Sequence, residues 1–272
     1  MAAPGQNSGE PSLWAVGEAY EPYVGRWSRL VAAEFLRRLG IPRGADWLDI
    51  GCGTGALSGL ILQHHAPASI LGVDPSEAFL AYARRGLSDP RLSFRQGDAQ
   101  ALPVPDAAFD ALVSGLVLNF VPDQPKALAE MRRAARPGAA IAAYVWDYAE
   151  GMQMMRRFWD AAAALDPAGA SGKDEALRFA RCRPEPLRAL FEQAGLLGVE
   201  VAAIEIPTRF RDFEDYWTPF LRGGAPAPAY CAALPEDRRA ALRERLRATL
   251  PVAADGSIPL SARAWAVRGT AG

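Results

Sequence analysis

Seven residues constrain this chain more than any other segment: Asp49-Ile50-Gly51-Cys52-Gly53-Thr54-Gly55. They follow the apolar run Trp47 to Ile50 and precede the amphipathic stretch Ala56 to His64, so the glycines fall where a strand ends and a helix begins. In an open parallel sheet that junction is where ligands bind. Glycines at alternate positions 51, 53 and 55 let the backbone adopt positive φ and let a ligand approach without meeting a Cβ. The same residues could also form an ordinary tight βα turn, although three glycines weaken a turn more than one does.

The rest of the chain continues the alternation. Strands are predicted at Trp47 to Ile50, Ser69 to Val73, Leu92 to Gln96, Asp110 to Ser114 and Ala139 to Val145, with helices at Ala56 to His64, Glu77 to Leu87 and Gln124 to Ala135. This is the pattern of βαβ units around a parallel sheet. Arg136-Pro137-Gly138 reads as a helix stop and turn before the fifth strand. Ahead of the core, Trp14 to Leu39 carries apolar residues at helical spacing. Behind it come helices at Met152 to Leu165, Pro186 to Ala194 and Pro235 to Thr249, and two further strands at Leu197 to Ile206 and Ser261 to Val267. For 272 residues the expected organisation is one domain over 13–272, preceded by a disordered segment, 1–12. Leading helices would occupy 13–44, the ligand-binding core 45–147, and a helical cap with edge strands 148–272.

Charge and cysteine usage narrow the function classes. Thirty basic and thirty-one acidic residues leave a net charge of −1, so no global field draws the chain to nucleic acid or to an anionic membrane. Cys52, Cys182 and Cys231 are odd in number and far apart, which fits neither a disulfide framework nor a metal site. No apolar run is long enough to span a bilayer, and Met1 to Ser12 lacks the pattern of a signal peptide, so a cytoplasmic location is expected.

Glycine spacing alone does not choose the ligand, because Gly51-x-Gly53-x-x-Ala56 also satisfies the relaxed dinucleotide fingerprint. Asp74, after the second strand, fits either case, since a carboxylate can accept from both ribose hydroxyls of an adenosine cofactor. The wider set is more selective: Asp49 before the glycines, Asp74, then Gly97-Asp98-Ala99 after the third strand, and Phe109-Asp110 opening the fourth. With these motifs, Trp47 to Asp147 resembles the class I S-adenosylmethionine (SAM) dependent methyltransferases, particularly the small-molecule branch that includes the ubiquinone and menaquinone biosynthesis enzymes. The resemblance implies a Rossmann-like α/β fold with a mostly parallel seven-stranded sheet, an antiparallel edge strand and helical cap elements. It implies SAM as cofactor, S-adenosylhomocysteine as product and a small-molecule acceptor. By position, Asp49, Gly51, Cys52, Gly53 and Gly55 would surround the methionine part, Asp74 and Pro75 the ribose, and Asp98 and Ala99 the adenine. Ser114 and Leu116, ending the fourth strand, would border the methionine ammonium. A lid over the cofactor would carry Tyr23 and Arg26 against its carboxylate, with Tyr20 or Trp27 facing the acceptor.

An oxygen or carbon acceptor usually needs a base, commonly His. The two histidines, His64 and His65, end the first core helix, away from the strand C-termini, and Asn119 stands where relatives often carry His. Asp147, after the fifth strand, is the first candidate base, with Tyr144, Tyr148, Asp215 and Tyr216 behind it. Trp146, Phe158, Trp159, Trp217 and Phe220 are candidates for an apolar acceptor wall or for core. Two other classes stay open on sequence alone: an NAD-dependent oxidoreductase using the same loop, and a SAM-binding protein without catalysis. No metal is expected, and the oligomeric state is unread.

Overall fold

The predicted alternation folds into a seven-stranded sheet in the computed structural model, which describes residues 25–222 and 225–272. The expected disordered 1–12, the start of the leading helices, Tyr20 and Tyr23 lie outside the described residues. In chain order the core runs α1 (Arg26–Leu39), β1 (Asp46–Ile50), α2 (Ala56–His64), β2 (Ser69–Asp74), α3 (Glu77–Gly86), β3 (Leu92–Gln96), β4 (Phe109–Gly115), α4 (Gln124–Ala134) and β5 (Ala135–Trp146). After these come α5 (Gln153–Leu165), α6 (Pro167–Ser171), α7 (Glu175–Arg178), α8 (Pro184–Gln193), β6 (Leu197–Phe210), α9 (Phe213–Trp217), α10 (Pro226–Ala233), α11 (Glu236–Thr249) and β7 (Ile258–Thr270).

Strand order is β3-β2-β1-β4-β5-β7-β6. The first five strands pair in parallel, while β7 runs antiparallel between β5 and the outermost strand β6. The order reverses between β1 and β4, which places the C-terminal end of β1 at the crevice where such sheets bind ligands. Central β1 is buried on both faces by Trp47, Leu48 and Ile50, as expected of a parallel strand covered by helices on either side. On one side α1 packs Val31, Ala32, Phe35, Leu36 and Leu39 inward, and Gly40 at φ +64° stops it.

Three boundaries depart from the sequence reading. Strand β5 starts at Ala135, so Arg136-Pro137-Gly138 lies inside it and not before it. The turn chemistry appears instead as an irregularity: the β4–β5 register shifts between Phe109 and Ala111, and Gly138 takes φ +81°. Strand β6 runs past Ile206 to Phe210, because Pro207 sits on an edge strand where a missing N–H is tolerated. Its partner β7 is likewise longer, covering 258–270.

The excursion between β6 and β7, together with α5, builds an aromatic layer joined to the sheet core in one cluster. Phe158 stacks on Phe220 with ring centres 4.4 Å apart, and Tyr216 Oη donates to Met154 O at 2.9 Å. Among the described residues no helix is long and apolar enough to cross a membrane.

Candidate functional site

Each glycine of the loop answers a different constraint. All three hold positive φ: +72° at Gly51, +52° at Gly53 and +83° at Gly55. A Cβ on Gly51 would stand 2.4 Å from Val117 Cγ1, and one on Gly55 would stand 2.7 Å from Leu87 Cδ1, so these two serve close packing. A Cβ on Gly53 would meet nothing within 4 Å. It would project toward a cavity of about 310 Å³ that Gly53 lines together with Asp49, Gly51, Cys52 and Asp74.

Two acids converge on this cavity. Asp74 accepts from Gly53 N at 3.0 Å and Ser76 N at 2.8 Å, which ties the loop to the end of β2. Asp49 is 1 % exposed; its Oδ2 accepts from Ser58 Oγ at 2.6 Å, while Oδ1 is buried without a partner among the described residues. Burial pushes the Asp49 carboxyl up to about 7; the charge of Asp74 pushes the same way, and the Ser58 hydrogen bond opposes both. Asp74 is also raised by burial, against the pull of its two backbone donors. A buried acid with an unused oxygen in an open cavity is suited to a cationic or hydrogen-bond-donating ligand. Cys52 is buried, and burial raises its thiol well above the ordinary value, so it acts as an apolar wall.

The opposite wall comes from the ends of β4 and β5. Leu116 holds φ +61°, unusual for a side-chain-bearing residue, and donates its N–H to Tyr144 O at 2.8 Å. This conformation turns Leu116 and Val117 over the glycine loop, and both line the cavity. Pro75 lines it from the end of β2, and Trp146 and Tyr148 from the end of β5. Sequence reasoning missed Phe79, Val117, Met155 and the α1 residues Ser28 and Ala32, which also line it. Only their position just after a strand end, or on the inward face of α1, could have pointed to them.

Other predicted site residues lie elsewhere. Asp98 is exposed at the end of β3, and its carboxylate accepts from Gln100 N at 2.8 Å, which holds it below its ordinary value; neither it nor Ala99 lines the cavity. Ser114 is buried within β4 and contributes nothing to the lining, its neighbour Gly115 doing so instead. Gly55 faces Leu87, Ala83 and Phe94, away from the lining. Arg26 pairs with Asp215 at 3.1 Å and lies over the rings of Trp27 and Phe210, pinning α1 to the excursion after β6 instead of meeting a ligand carboxylate.

Asp147 is 2 % exposed and does not line the cavity: Arg263 Nη1 stands 3.2 Å from its Oδ2, and Glu150 N donates to its Oδ1. These contacts brace the exit from β5. Asp110 belongs to the other end of the sheet, where it accepts from Asp46 N and pairs with Arg136 at 2.7 Å, while Arg136 also reaches Asp46 at 3.0 Å. Trp146 and the candidate bases Tyr144 and Tyr148 line the cavity, while Phe158, Trp159, Trp217 and Phe220 are core. His65 packs on Trp47 at the far end of α2.

Comparison with known proteins agrees with this arrangement. Residues 48–143 match the family described as methyltransferase domain. Trans-aconitate 2-methyltransferase of Deinococcus radiodurans is 40% identical over 102 residues, 37% of this chain and 38% of that protein. Demethylmenaquinone methyltransferase of Shouchella clausii is 35% identical over 113 residues, 39% of this chain and 47% of that protein. The chain thus spans under half the length of these curated relatives. In fold, phosphoethanolamine N-methyltransferase 2 of Haemonchus contortus, solved in complex with S-adenosyl-L-methionine, superposes with a TM-score of 0.59 at 17% identity, covering 93% of this chain and 56% of that one. Over residues 48–143 the chain is therefore similar to the methyltransferase domain family, and the strand order and the glycine loop with its two acids are in keeping with that match.

Proposed function

We propose that the cavity binds SAM and that the chain transfers its methyl group to a small-molecule acceptor. The observation that carries the reading is the unpartnered, buried Oδ1 of Asp49 beside the open face of Gly53 and the carboxylate of Asp74, all on one cavity. Asp74 would accept from the ribose hydroxyls while Gly53 N keeps its carboxylate in place. Asp49 would meet the cationic methionine end, and a cation beside it favours its ionised form. Pro75 and Phe79 would flank the adenosine, and Leu116 with Val117 would close over the methionine part. Asp98 and Ala99 would border the adenine from outside the walls described here.

When bound, SAM supplies a methyl group on a sulfonium, whose in-line displacement needs alignment above all, a contribution of about 7 to 11 kcal/mol for well-oriented reactants. Trp146, Tyr148 and Met155, which line the cavity from the end of β5 and from α5, would align an acceptor. Tyr148 and Trp146 could also present ring faces to the positive charge, an effect of about 0.5 to 2 kcal/mol. Asp147, held by Arg263, takes no part in this reading. Calorimetric titration with S-adenosylhomocysteine and with NADH tests it: saturable binding of the first and none of the second is expected. NADH binding without affinity for S-adenosylhomocysteine would return the site to the oxidoreductase class. Tight SAM binding with no S-adenosylhomocysteine formed across a broad acceptor panel would favour a non-catalytic binding protein.

A further inference from the structure

Phe120, Tyr148 and Met155 line the cofactor cavity and also a second, adjoining one of about 190 Å³. Besides them the second chamber is walled by Phe179 and Pro226, with Arg178 and the carboxyl of Glu175 as its charged groups among the described residues. Phe179 stands edge-on to Phe120 at 5.1 Å and tilted against Tyr148 at 5.1 Å, so the chamber is an aromatic box sharing a wall with the cofactor site. Glu175 is 3 % exposed, although it opens the short helix α7, where a solvated acid would be ordinary. Its carboxylate accepts from Trp159 Nε1. Arg156, on α5, pairs with Asp174 at 2.6 Å, and among the described residues Glu175 has no ion pair.

We propose that this chamber takes the ring of a phenol-type methyl acceptor whose hydroxyl donates to Glu175: in transfer the phenol oxygen would bond the methyl carbon as the carbon–sulfur bond of SAM breaks, leaving S-adenosylhomocysteine and the hydroxyl proton on Glu175. The proposal rests on the SAM reading above and adds the acceptor's chemical class. Size favours a single ring with a short substituent, since benzene is held by an engineered cavity of roughly 150 Å³. Charge favours a neutral donor. An acceptor carboxylate would meet the Glu175 carboxylate, and an acceptor ammonium would enter past the Arg178 guanidinium, which lies over Phe179 at 5.3 Å. A hydroxyl meets neither objection, and adds a further donor to the two Glu175 already has, Trp159 Nε1 and its own backbone N–H.

Glu175 also gives the proposal a pH signature. Burial raises its carboxyl to about 7, with the charge of Asp174 adding to the rise, while its own backbone N–H, Trp159 and Arg156 oppose it. The other ionisable groups near it are Arg178 on α7, Tyr148 after β5, and Tyr230 on α10, whose ring lies 5.4 Å from Trp159. A hydroxyl donor binds the ionised carboxylate better, so affinity should rise as pH passes through about 7.

The test uses the full chain saturated with S-adenosylhomocysteine, with 4-ethylphenol and 4-ethylanisole titrated by ligand-observed NMR at pH 5.5 and 8. The expected result is 4-ethylphenol binding about five-fold tighter at pH 8 than at pH 5.5. Glu175→Gln, which keeps an acceptor for Trp159, should make its binding independent of pH and about five-fold weaker at pH 8. The anisole, which has no hydroxyl to donate, should bind both proteins alike and register whatever Asp49, titrating in the same range, contributes. Phe179→Ala should weaken both ligands. Equal affinity for phenol and anisole, an unchanged pH profile in Glu175→Gln, or binding of neither ligand while S-adenosylhomocysteine stays bound would overturn the proposal. Failure of S-adenosylhomocysteine itself to bind would instead bring down the cofactor reading, so the two failures are distinguishable.

Discussion

Along the C-terminal ends of β1 and β2, the cavity is built from backbone and two short acids; from β5 onward it is closed by large side chains. The first wall fixes its geometry locally, through Gly51 N and Cys52 N donating to Val73 O and Gly53 N donating to Asp74. Little tertiary packing is needed to make it. The second wall exists only because α5, the aromatic layer and α7 pack on the sheet, so its residues come from distant parts of the chain. A wall made of backbone suits a fixed ligand common to many enzymes, and one made of side chains suits a ligand particular to each.

Substitutions can separate the two walls. The largest effect is expected from Gly53→Val, which places a branched side chain in the open cavity at φ +52°. It should abolish measurable S-adenosylhomocysteine binding in calorimetry and cost about 1–3 kcal/mol of stability from the backbone conformation. Phe158→Ala, in the aromatic layer and fully buried, should cost about 3–5 kcal/mol in urea unfolding. The folded fraction should still bind S-adenosylhomocysteine, because the first wall does not depend on that ring. Lost cofactor affinity in the folded Phe158→Ala protein would show that the walls are not independent.

The same contrast explains what could be read from the sequence. The first wall was legible because its residues are consecutive and each glycine or acid has a local reason to be there. Helix α2 and strand β3 likewise occur where periodicity placed them. The partners of Arg26 and Asp147 could not be read, because an Arg or Asp carries no mark of its partner; Asp215 and Arg263 reach them across 189 and 116 residues. Asp110 belongs to the motif set yet works at the opposite end of the sheet, since a strand's first and last residues look alike in a pattern. Glu175 had no signal at all: its burial depends on α5 supplying Trp159.

Smaller effects sharpen the electrostatics. Asp49 is raised above its unfolded value, so between about pH 4 and 7 the folded state binds the extra proton and stability of the cofactor-free protein should fall as pH rises. The limit is about 1.4 kcal/mol per pH unit. Asp49→Asn should reduce that slope in thermal melts, leaving the part due to Glu175, and weaken S-adenosylhomocysteine binding at pH 8; an unaltered slope would assign the titration to other groups. Least affected should be Arg136→Ala, whose pairs with Asp46 and Asp110 are about 40% exposed on the Arg136 side. A fall in Tm well below that of Phe158→Ala, shrinking as salt is raised, is expected, with cofactor affinity unchanged.

The measurement closest to the central claim is the S-adenosylhomocysteine affinity of Asp74→Ala beside the wild type, by calorimetry at pH 8. Removing a carboxylate that accepts from ligand hydroxyls, at about 1.5–3 kcal/mol per charged hydrogen bond, should weaken binding about 10- to 100-fold with the fold intact by circular dichroism. Equal affinity in the two proteins would mean that the acids and glycines at the end of β1 and β2 form only a turn.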